Sequence, residues 1–281
     1  MMHSIASALA ILFYLAASAY QGRYLLRRAP ARSDQALLEP DPSLPRRTVF
    51  LVLAGIGLVA HGISIFGTLV TEHGVDLGFY RVSSLIFWFI CLIGLADTLR
   101  RPLQNSMALL LPLAALSILL ALLFRSPGVA LARLEPGVVA HILVSILAYA
   151  VLTLCAIHAI LLAMQEHALK RRPVNRLLEV LPPLQTMEAM LFELLWTGMA
   201  LLSLAILLGV VYIDDLFAQH LVHKTVFSLL AWLIFAILLW GHHQLGWRGP
   251  VAVRWTLGGF AALMLAYFGT KMVLELILHR T

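Results

Sequence analysis

The sequence predicts an all-α integral membrane protein, a bundle of eight transmembrane helices in one domain over residues 1–281. Hydrophobic residues make up 61% of the chain and charged residues 12%, with a mean hydropathy of +0.92. Soluble domains carry about 25% charged residues, so this composition excludes an ordinary soluble fold. The apolar residues also fall into runs that match the roughly 20 residues a helix needs to cross the hydrocarbon core.

Eight apolar runs follow one another along the chain. They cover residues 4–25, 48–70, 82–98, 103–124, 138–165, 190–212, 225–243 and 252–278. The fifth and eighth runs are long, so we expect these helices to tilt or to protrude from the membrane. No basic residue precedes the first run, whereas Arg23, Arg27 and Arg28 follow it. This order favours a retained first helix over a cleaved signal peptide.

Two connections between the runs are longer than simple turns. Residues 26–47 are rich in Pro and Arg and have no apolar period, which predicts an irregular loop. Residues 171–189 contain a short apolar stretch from Leu177 to Leu181 that is followed by Pro182 and Pro183. We interpret this stretch as a short interfacial helix that the two prolines end.

The distribution of Lys and Arg predicts the orientation in the membrane. The odd-numbered connections hold 14 of these residues, against five in the even-numbered connections and the C-terminal tail. The larger group is Arg23, Arg27, Arg28, Arg32, Arg46, Arg47, Arg100, Arg101, Lys170, Arg171, Arg172, Arg176, Arg248 and Arg254; the smaller is Arg81, Arg125, Arg133, Lys224 and Arg280. Because basic residues accumulate on the cytoplasmic side, we expect both termini on the outer, periplasmic side. The same clustering explains the net charge of +6 without a nucleic-acid partner.

Ionisable side chains inside a bilayer are costly, so each requires a reason. His61 lies in the middle of the second run, within GIGLVAHGISIFG. It is either a neutral imidazole that hydrogen-bonds to a neighbouring helix or a metal ligand. His141 opens the fifth run, with Ser145 and Tyr149 on the same helix face. This polar stripe also has two interpretations, since membrane helices use polar residues in packing.

Two adjacent histidines, His242 and His243, end the seventh run. Adjacent helical residues point about 100° apart, so only one of them can face the interior of the bundle. Gly246 and Gly249 predict a tight turn directly after them. The other ionisable residues of the apolar segments are interpreted as interfacial or paired groups, namely His158, His167 and the i, i+4 pair Lys271 and Glu275.

The last part of the chain carries a recognisable pattern in WLIFAILLWGHHQLGWRGPVAVRWTLGGFAALMLAYFGTKMVLELILH. A histidine near a helix end, a GWRG turn, G-F and Y-F-G in a final helix and a histidine beyond it follow in order. These features are His242, Gly246–Gly249, Gly259–Phe260, Tyr267–Gly269 and His279. Together with HILVSILAYAVL from His141 and HGVDLGFYRVSSLIFW from His73, they make the chain similar to the cytochrome c assembly family, with its CcsA-, CcmC- and HemX-like members.

The resemblance implies a multi-pass protein of the bacterial inner membrane that binds haem b non-covalently. The family holds an external haem between two histidines, whose positions fall on His141 and His279. The family's inner histidine falls near His242, two residues from the nominal position at Trp240. His61 lies near the middle of the second run, so its depth alone lets it approach either side of the membrane. The family's inner site implies that His61 pairs with His242. The implied partners are the lipid bilayer, haem and other membrane assembly or transport proteins.

One family feature is missing. A tryptophan-rich outer loop precedes the seventh helix in the family, whereas this chain has only DDLFAQHLVHKT there. The difference argues against haem delivery to an apocytochrome while leaving haem binding intact. We therefore expect a role in haem handling or cytochrome c biogenesis. The alternative is a non-catalytic membrane adaptor or regulator that keeps the fold without haem delivery.

Other functions find less support in the sequence. A solute transporter ranks last because the chain shows no inverted repeat and no paired broken helices. Cys91 and Cys155 lie within apolar runs and predict no disulfide framework. We find no nucleophile–base set and no phosphate-binding loop, so the sequence predicts no enzyme.

The orientation can be tested with single cysteines placed at Pro40, Asn175 and Ala218. In intact cells, cysteines at positions 40 and 175 should resist a membrane-impermeant thiol reagent, and one at position 218 should react. The basic residues that flank the first two positions should keep them in the cytoplasm. The opposite labelling pattern would reverse the orientation and move every histidine to the other leaflet.

Overall fold

A computed structural model describes residues 2–28, 43–71, 74–75, 78–100, 104–124, 135–171, 183–213 and 222–266. This part of the chain contains eight α-helices and two strands of two residues each. The helices are α1 (Met2–Arg28), α2 (Ser43–Leu69), α3 (Phe79–Arg100), α4 (Gln104–Leu123), α5 (Pro136–Arg171), α6 (Leu184–Tyr212), α7 (Val222–Leu245) and α8 (Gly249–Met264); the strands are β1 (Val70–Thr71) and β2 (Gly74–Val75).

The helical fold class is confirmed. Within the described ranges, the seven helices α1 to α7 are long and apolar enough to cross a membrane. Helix α8 has 16 described residues, and the rest of the predicted eighth run lies outside the described part. An eighth span and the outer position of both termini therefore stay predictions.

The predicted loop over residues 26–47 is wrong at both of its ends. Helix α1 continues to Arg28 and α2 begins at Ser43. Leu and Arg are good helix formers, so α1 continues beyond the end of its apolar run. Pro45 falls in the first turn of α2, where a missing N–H costs nothing.

Helix α6 also begins before its predicted start at residue 190. It starts at Leu184, directly after Pro183, which has an extended backbone with φ −53° and ψ 145°. A proline disfavours helical conformation in the residue before it but can stand at the start of a helix. The interfacial helix predicted from Leu177 to Leu181 lies outside the described residues.

The helices divide into two compact units. The first unit contains α1, α2, α4 and α3 from Ser83 onward. The second contains α5 to α8 and the first residues of α3, up to Val82. The single domain expected over residues 1–281 stays a prediction.

In the first unit, hydrogen bonds between helices hold α1 against α2 and α4. The hydroxyls of Ser7 and Ser64 lie 2.6 Å apart, Oγ to Oγ, and join α1 to α2. The Ser18 hydroxyl donates to the Ala108 carbonyl at 2.7 Å and joins α1 to α4. Helices gain no hydrophobic free energy by associating in lipid, so such bonds and close packing are what keep them together.

Close packing in the first unit depends on Gly57 of α2. The ring of Tyr14, which is fully buried on α1, lies where a side chain at position 57 would stand. A Cβ atom there would come within 2.7 Å of Tyr14 Cδ1. Gly57 therefore sets how closely α1 approaches α2.

In the second unit, α5 packs against α6 and α8, and α7 packs against both α6 and α8. The Tyr149 hydroxyl of α5 donates to the Leu263 carbonyl of α8 at 2.7 Å. The Trp232 indole N–H of α7 donates to the Ser203 hydroxyl of α6 at 2.9 Å. These bonds join α8 to α5 and α6 to α7.

The substitution Gly57→Ala should destabilise the protein, because its new methyl group would overlap the buried Tyr14 ring. Overpacking of this kind costs about 1–3 kcal/mol. Gly55→Ala is the matched control, since a Cβ atom at position 55 meets nothing within 4 Å. Thermal unfolding in detergent should show a lower midpoint for Gly57→Ala only, and equal midpoints would contradict the packing described for α1 and α2.

Candidate functional site

The predicted iron ligands fall into different parts of the structure. His61 lies on α2 in the first unit, and His141 and His242 lie on α5 and α7 in the second. His279 lies outside the described residues, so its pairing with His141 stays a prediction. The pairing of His61 with His242 also stays a prediction.

His61 is fully buried and held between two hydroxyls. Its Nε2 lies 2.9 Å from Ser84 Oγ on α3, and its Nδ1 lies 3.3 Å from Tyr14 Oη on α1. The Tyr14 and His61 rings meet edge to face, with their centroids 5.7 Å apart. Each hydroxyl can donate or accept, so both ring nitrogens are satisfied whichever one carries the proton. Iron binding at His61 would require one hydroxyl to give up its hydrogen bond.

His141 uses one ring nitrogen to contact α6. Its Nδ1–H donates to the Ala205 carbonyl at 2.8 Å, and the side chain is half-buried. A carbonyl oxygen only accepts, so Nδ1 carries the proton and the lone pair lies on Nε2. The predicted polar stripe on α5 therefore serves two neighbours, because Tyr149 bonds to α8 while His141 bonds to α6.

His242 is the inward member of the histidine pair at the end of α7. Its ring stacks on Phe192 of α6 with a centroid separation of 3.5 Å and an angle of 18°. Its Nδ1–H donates to the Trp247 carbonyl at 2.8 Å, which again leaves the lone pair on Nε2. His243 is exposed.

The turn that follows α7 folds back onto the helix end. The Trp247 N–H donates to the Gly241 carbonyl at 3.2 Å, and the Trp247 ring lies where a side chain at position 241 would stand. Gly246 and Gly249 have positive φ angles of 67° and 51°, a conformation that other residues adopt at a cost. The predicted tight turn is therefore present, and the glycines make it possible.

The turn is also tied to α6. The Gly249 N–H donates to Glu188 Oε1 at 2.9 Å. Sequence reasoning did not identify Glu188 or Phe192, because nothing local in the sequence marks either residue as a neighbour of His242. Only their spacing, one helical turn apart on α6, could have suggested that they act on the same partner.

His141 and His242 contact α6 at well-separated positions. His141 bonds at Ala205 and His242 stacks at Phe192. Phe192 and Ala205 are 13 positions apart on α6, which corresponds to about 20 Å at 1.5 Å per residue. The two histidines therefore cannot bind the same iron atom.

His158 is buried among the helices, whereas the interpretation of the sequence places it at the membrane interface. Its side chain is 5% exposed, and its Nδ1–H donates to the Leu154 carbonyl one turn earlier in α5 at 2.9 Å. His167, nine positions further along α5, is exposed as expected. The apolar run on both sides of His158 explains its burial.

The donor set of His141 and His242 fits an iron ligand. Metal-bound histidines usually donate their second ring N–H to a carboxylate or a backbone carbonyl, which fixes the tautomer and the direction of the ring. Both side chains make this bond, to Ala205 and Trp247 respectively. His61 has a different donor set, with hydroxyls at both nitrogens.

The family model described as Cytochrome C assembly protein matches residues 50–278. The chain belongs to the cytochrome c assembly family. The match includes α2 to α8 apart from the first residues of α2, and it covers His61, His141 and His242.

Relatives of known sequence agree with this family. The inner membrane protein YpjD of Escherichia coli K12 is 34% identical over 237 residues, which cover 82% of this chain and 88% of that protein. An uncharacterized 28.8 kDa protein of Azospirillum brasilense is 34% identical over 140 residues, or 49% of this chain and 52% of that protein. No solved structure matches the chain. The chain is a multi-pass protein of the inner membrane, as its relative and its membrane-spanning helices indicate.

The substitution Tyr14→Phe should lower stability by removing the hydroxyl that reaches His61 Nδ1. Hydrogen bonds between membrane helices contribute about 0.6 kcal/mol on average and up to about 1.7 kcal/mol. Tyr20→Phe is the control, since Tyr20 is exposed on the same helix. Unfolding midpoints in detergent should separate the two variants, and an unchanged midpoint for Tyr14→Phe would show that this hydrogen bond does not stabilise the first unit.

Proposed function

We propose that this chain binds haem b non-covalently in the inner membrane and acts in haem handling during cytochrome c biogenesis. Membership of the cytochrome c assembly family implies the general role. The observation that carries the finer proposal is the geometry of His242. Its Nδ1–H is fixed by a backbone carbonyl and its ring by a stacked phenyl group, so Nε2 offers a lone pair in a defined direction.

We assign the ligands to two sites. His141 and His279 would hold the outer haem, and His242 would hold the inner haem. The pairing of His61 with His242 stays a prediction from the sequence, which the variants below test. Two sites are needed because His141 and His242 contact α6 about 20 Å apart. Haem held by histidines would supply a low-spin iron that can exchange single electrons.

The residues around His141 and His242 prepare these two rings to bind iron. The Ala205 and Trp247 carbonyls hold the Nδ1 protons of His141 and His242, so neither ring must change its tautomer when it binds. Phe192 covers one face of the His242 ring. Arg and Lys side chains near the membrane faces can pair with haem propionates.

Delivery of haem to an apocytochrome is not part of this role. The outer connection before α7 lacks the tryptophans that the family uses there, so this chain has less to present to an apocytochrome.

A second function, a membrane adaptor or regulator without haem, finds support at His61. Tyr14 and Ser84 occupy both of its ring nitrogens from within its own unit. A histidine held in this way can serve as a hydrogen-bonded junction of three helices with no metal at all. The two functions differ in whether purified protein carries haem.

Absorption spectra and haem quantification of protein from haem-replete cells test the proposal. Wild-type protein should show the Soret band and the spectrum of low-spin haem. His141→Ala and His242→Ala should each remove part of the haem, because each removes a ligand of a different iron. His279→Ala should match His141→Ala, and His61→Ala should match His242→Ala.

His243→Ala is the matched control, since it removes an exposed imidazole next to His242 and should leave haem content unchanged. Colourless wild-type protein would favour the adaptor. Full haem content in His141→Ala would show that the outer site is wrong. If His61→Ala loses the same haem as His141→Ala, His61 belongs to the outer site.

A further inference from the structure

Helix α6 presents two side chains to the end of α7 and the turn after it. Glu188 and Phe192 are four residues apart, so they lie on the same face of α6, one turn apart. Phe192 contacts the His242 ring, and Glu188 contacts the backbone of the turn at Gly249. The proposed function uses His242 but assigns no role to the carboxylate.

Phe192 fixes the plane of the His242 ring. The two rings are close to parallel, at 18°, with their centroids 3.5 Å apart. Phe192 is itself only 6% exposed, so its position is set by packing on α6. Rotation of the imidazole about its Cβ–Cγ bond would break the stacking contact with Phe192.

Glu188 caps the start of α8. The first N–H groups of a helix have no partner within that helix, and a negative charge there is favoured by the helix dipole. The Gly249 N–H finds this partner in Glu188 Oε1, 2.9 Å away on α6. Arg248, the residue at the cap position, makes no capping bond with its own side chain. The carboxylate therefore takes the place of a local cap.

The bond from Glu188 reaches His242 through the short turn. Gly249 stands two residues after Trp247, whose carbonyl accepts the His242 Nδ1–H and whose N–H donates to Gly241. Without the hydrogen bond to Glu188, the turn could shift and move the Trp247 carbonyl away from the His242 ring. The imidazole would then lose both its fixed tautomer and its fixed direction.

We propose that Glu188 is a positioning residue for His242, which it aligns through the turn at Trp247 while Phe192 holds the ring plane. The inference rests on His242 being an iron ligand, as proposed above. Partners that orient a metal-binding histidine typically contribute about 10- to 100-fold in metal affinity. Loss of the Glu188 carboxylate should therefore weaken haem binding without touching haem itself.

The test follows haem loss from the purified holoprotein to excess apomyoglobin, together with the low-spin electron paramagnetic resonance signal. The inner-site signal is defined as the component that His242→Ala removes. For that component, Glu188→Ala should speed haem loss by up to about 10-fold, because Glu188 acts through the turn and does not contact the ring, and it should broaden the low-spin signal. Glu188→Gln keeps an acceptor oxygen without the charge and should have a smaller effect in the same direction. Phe192→Leu should broaden the signal because the ring plane is released.

Glu193→Ala and Glu193→Gln are the matched controls, because they remove the same charge from an exposed position of α6. They should leave haem loss and the signal unchanged. Amide hydrogen exchange gives a readout independent of haem, and the amides of the turn after α7 should exchange faster in Glu188→Ala than in Glu193→Ala.

The outcomes separate the two hypotheses. If His242→Ala leaves every haem component in place, the inner site is wrong and Glu188 has no ligand to position. If His242→Ala removes a component while Glu188→Ala and Phe192→Leu behave like the Glu193 controls, the proposed function stands and the positioning role is overturned. Faster haem loss and a broadened signal in the Glu188 and Phe192 variants alone would support it.

Discussion

Lipid tails offer no hydrogen-bond partner, so a polar side chain inside this protein is stabilised when it finds a partner on another helix or on its own backbone. The Ser18 hydroxyl uses the Ala108 carbonyl, and the Tyr149 hydroxyl uses the Leu263 carbonyl. Each such bond joins two helices at one height and so fixes their register. A hydrophobic surface alone would let helices slide in lipid, because lipid is as apolar as the helices.

The hydrogen-bond partner that each histidine finds decides whether its ring is ready to bind iron. A histidine that satisfies one nitrogen with a backbone carbonyl keeps a lone pair on the other, and His141 and His242 do so through Ala205 and Trp247. A histidine between two hydroxyls, such as His61, has both nitrogens engaged. The choice between a carbonyl and a hydroxyl partner therefore separates a prepared ligand from a histidine that must first lose a hydrogen bond.

Composition and apolar periodicity were sufficient to predict the helices, because crossing a membrane imposes a length and a hydropathy that few other structures require. They misplaced helix ends such as Arg28 and Leu184, where Arg, Gln and Glu continue a helix beyond the hydrocarbon core. The site was harder to predict. The packing of α6 against α7 makes His242 face inward and lets Glu188 and Phe192 hold it. The spacing of residues within a single segment cannot predict this packing.

The family match begins at residue 50, so it includes the turn that holds His242 but not α1. Helix α1 nevertheless supplies Tyr14, one of the two hydroxyls that enclose His61. The environment of His242 is thus built wholly from segments that the match covers, whereas that of His61 depends partly on a helix beyond it. If His61 serves only the packing of α1, α2 and α3, a chain that keeps the GWRG turn and its carbonyl can still keep a prepared ligand at His242. Haem chemistry and helix packing then need not have been retained together.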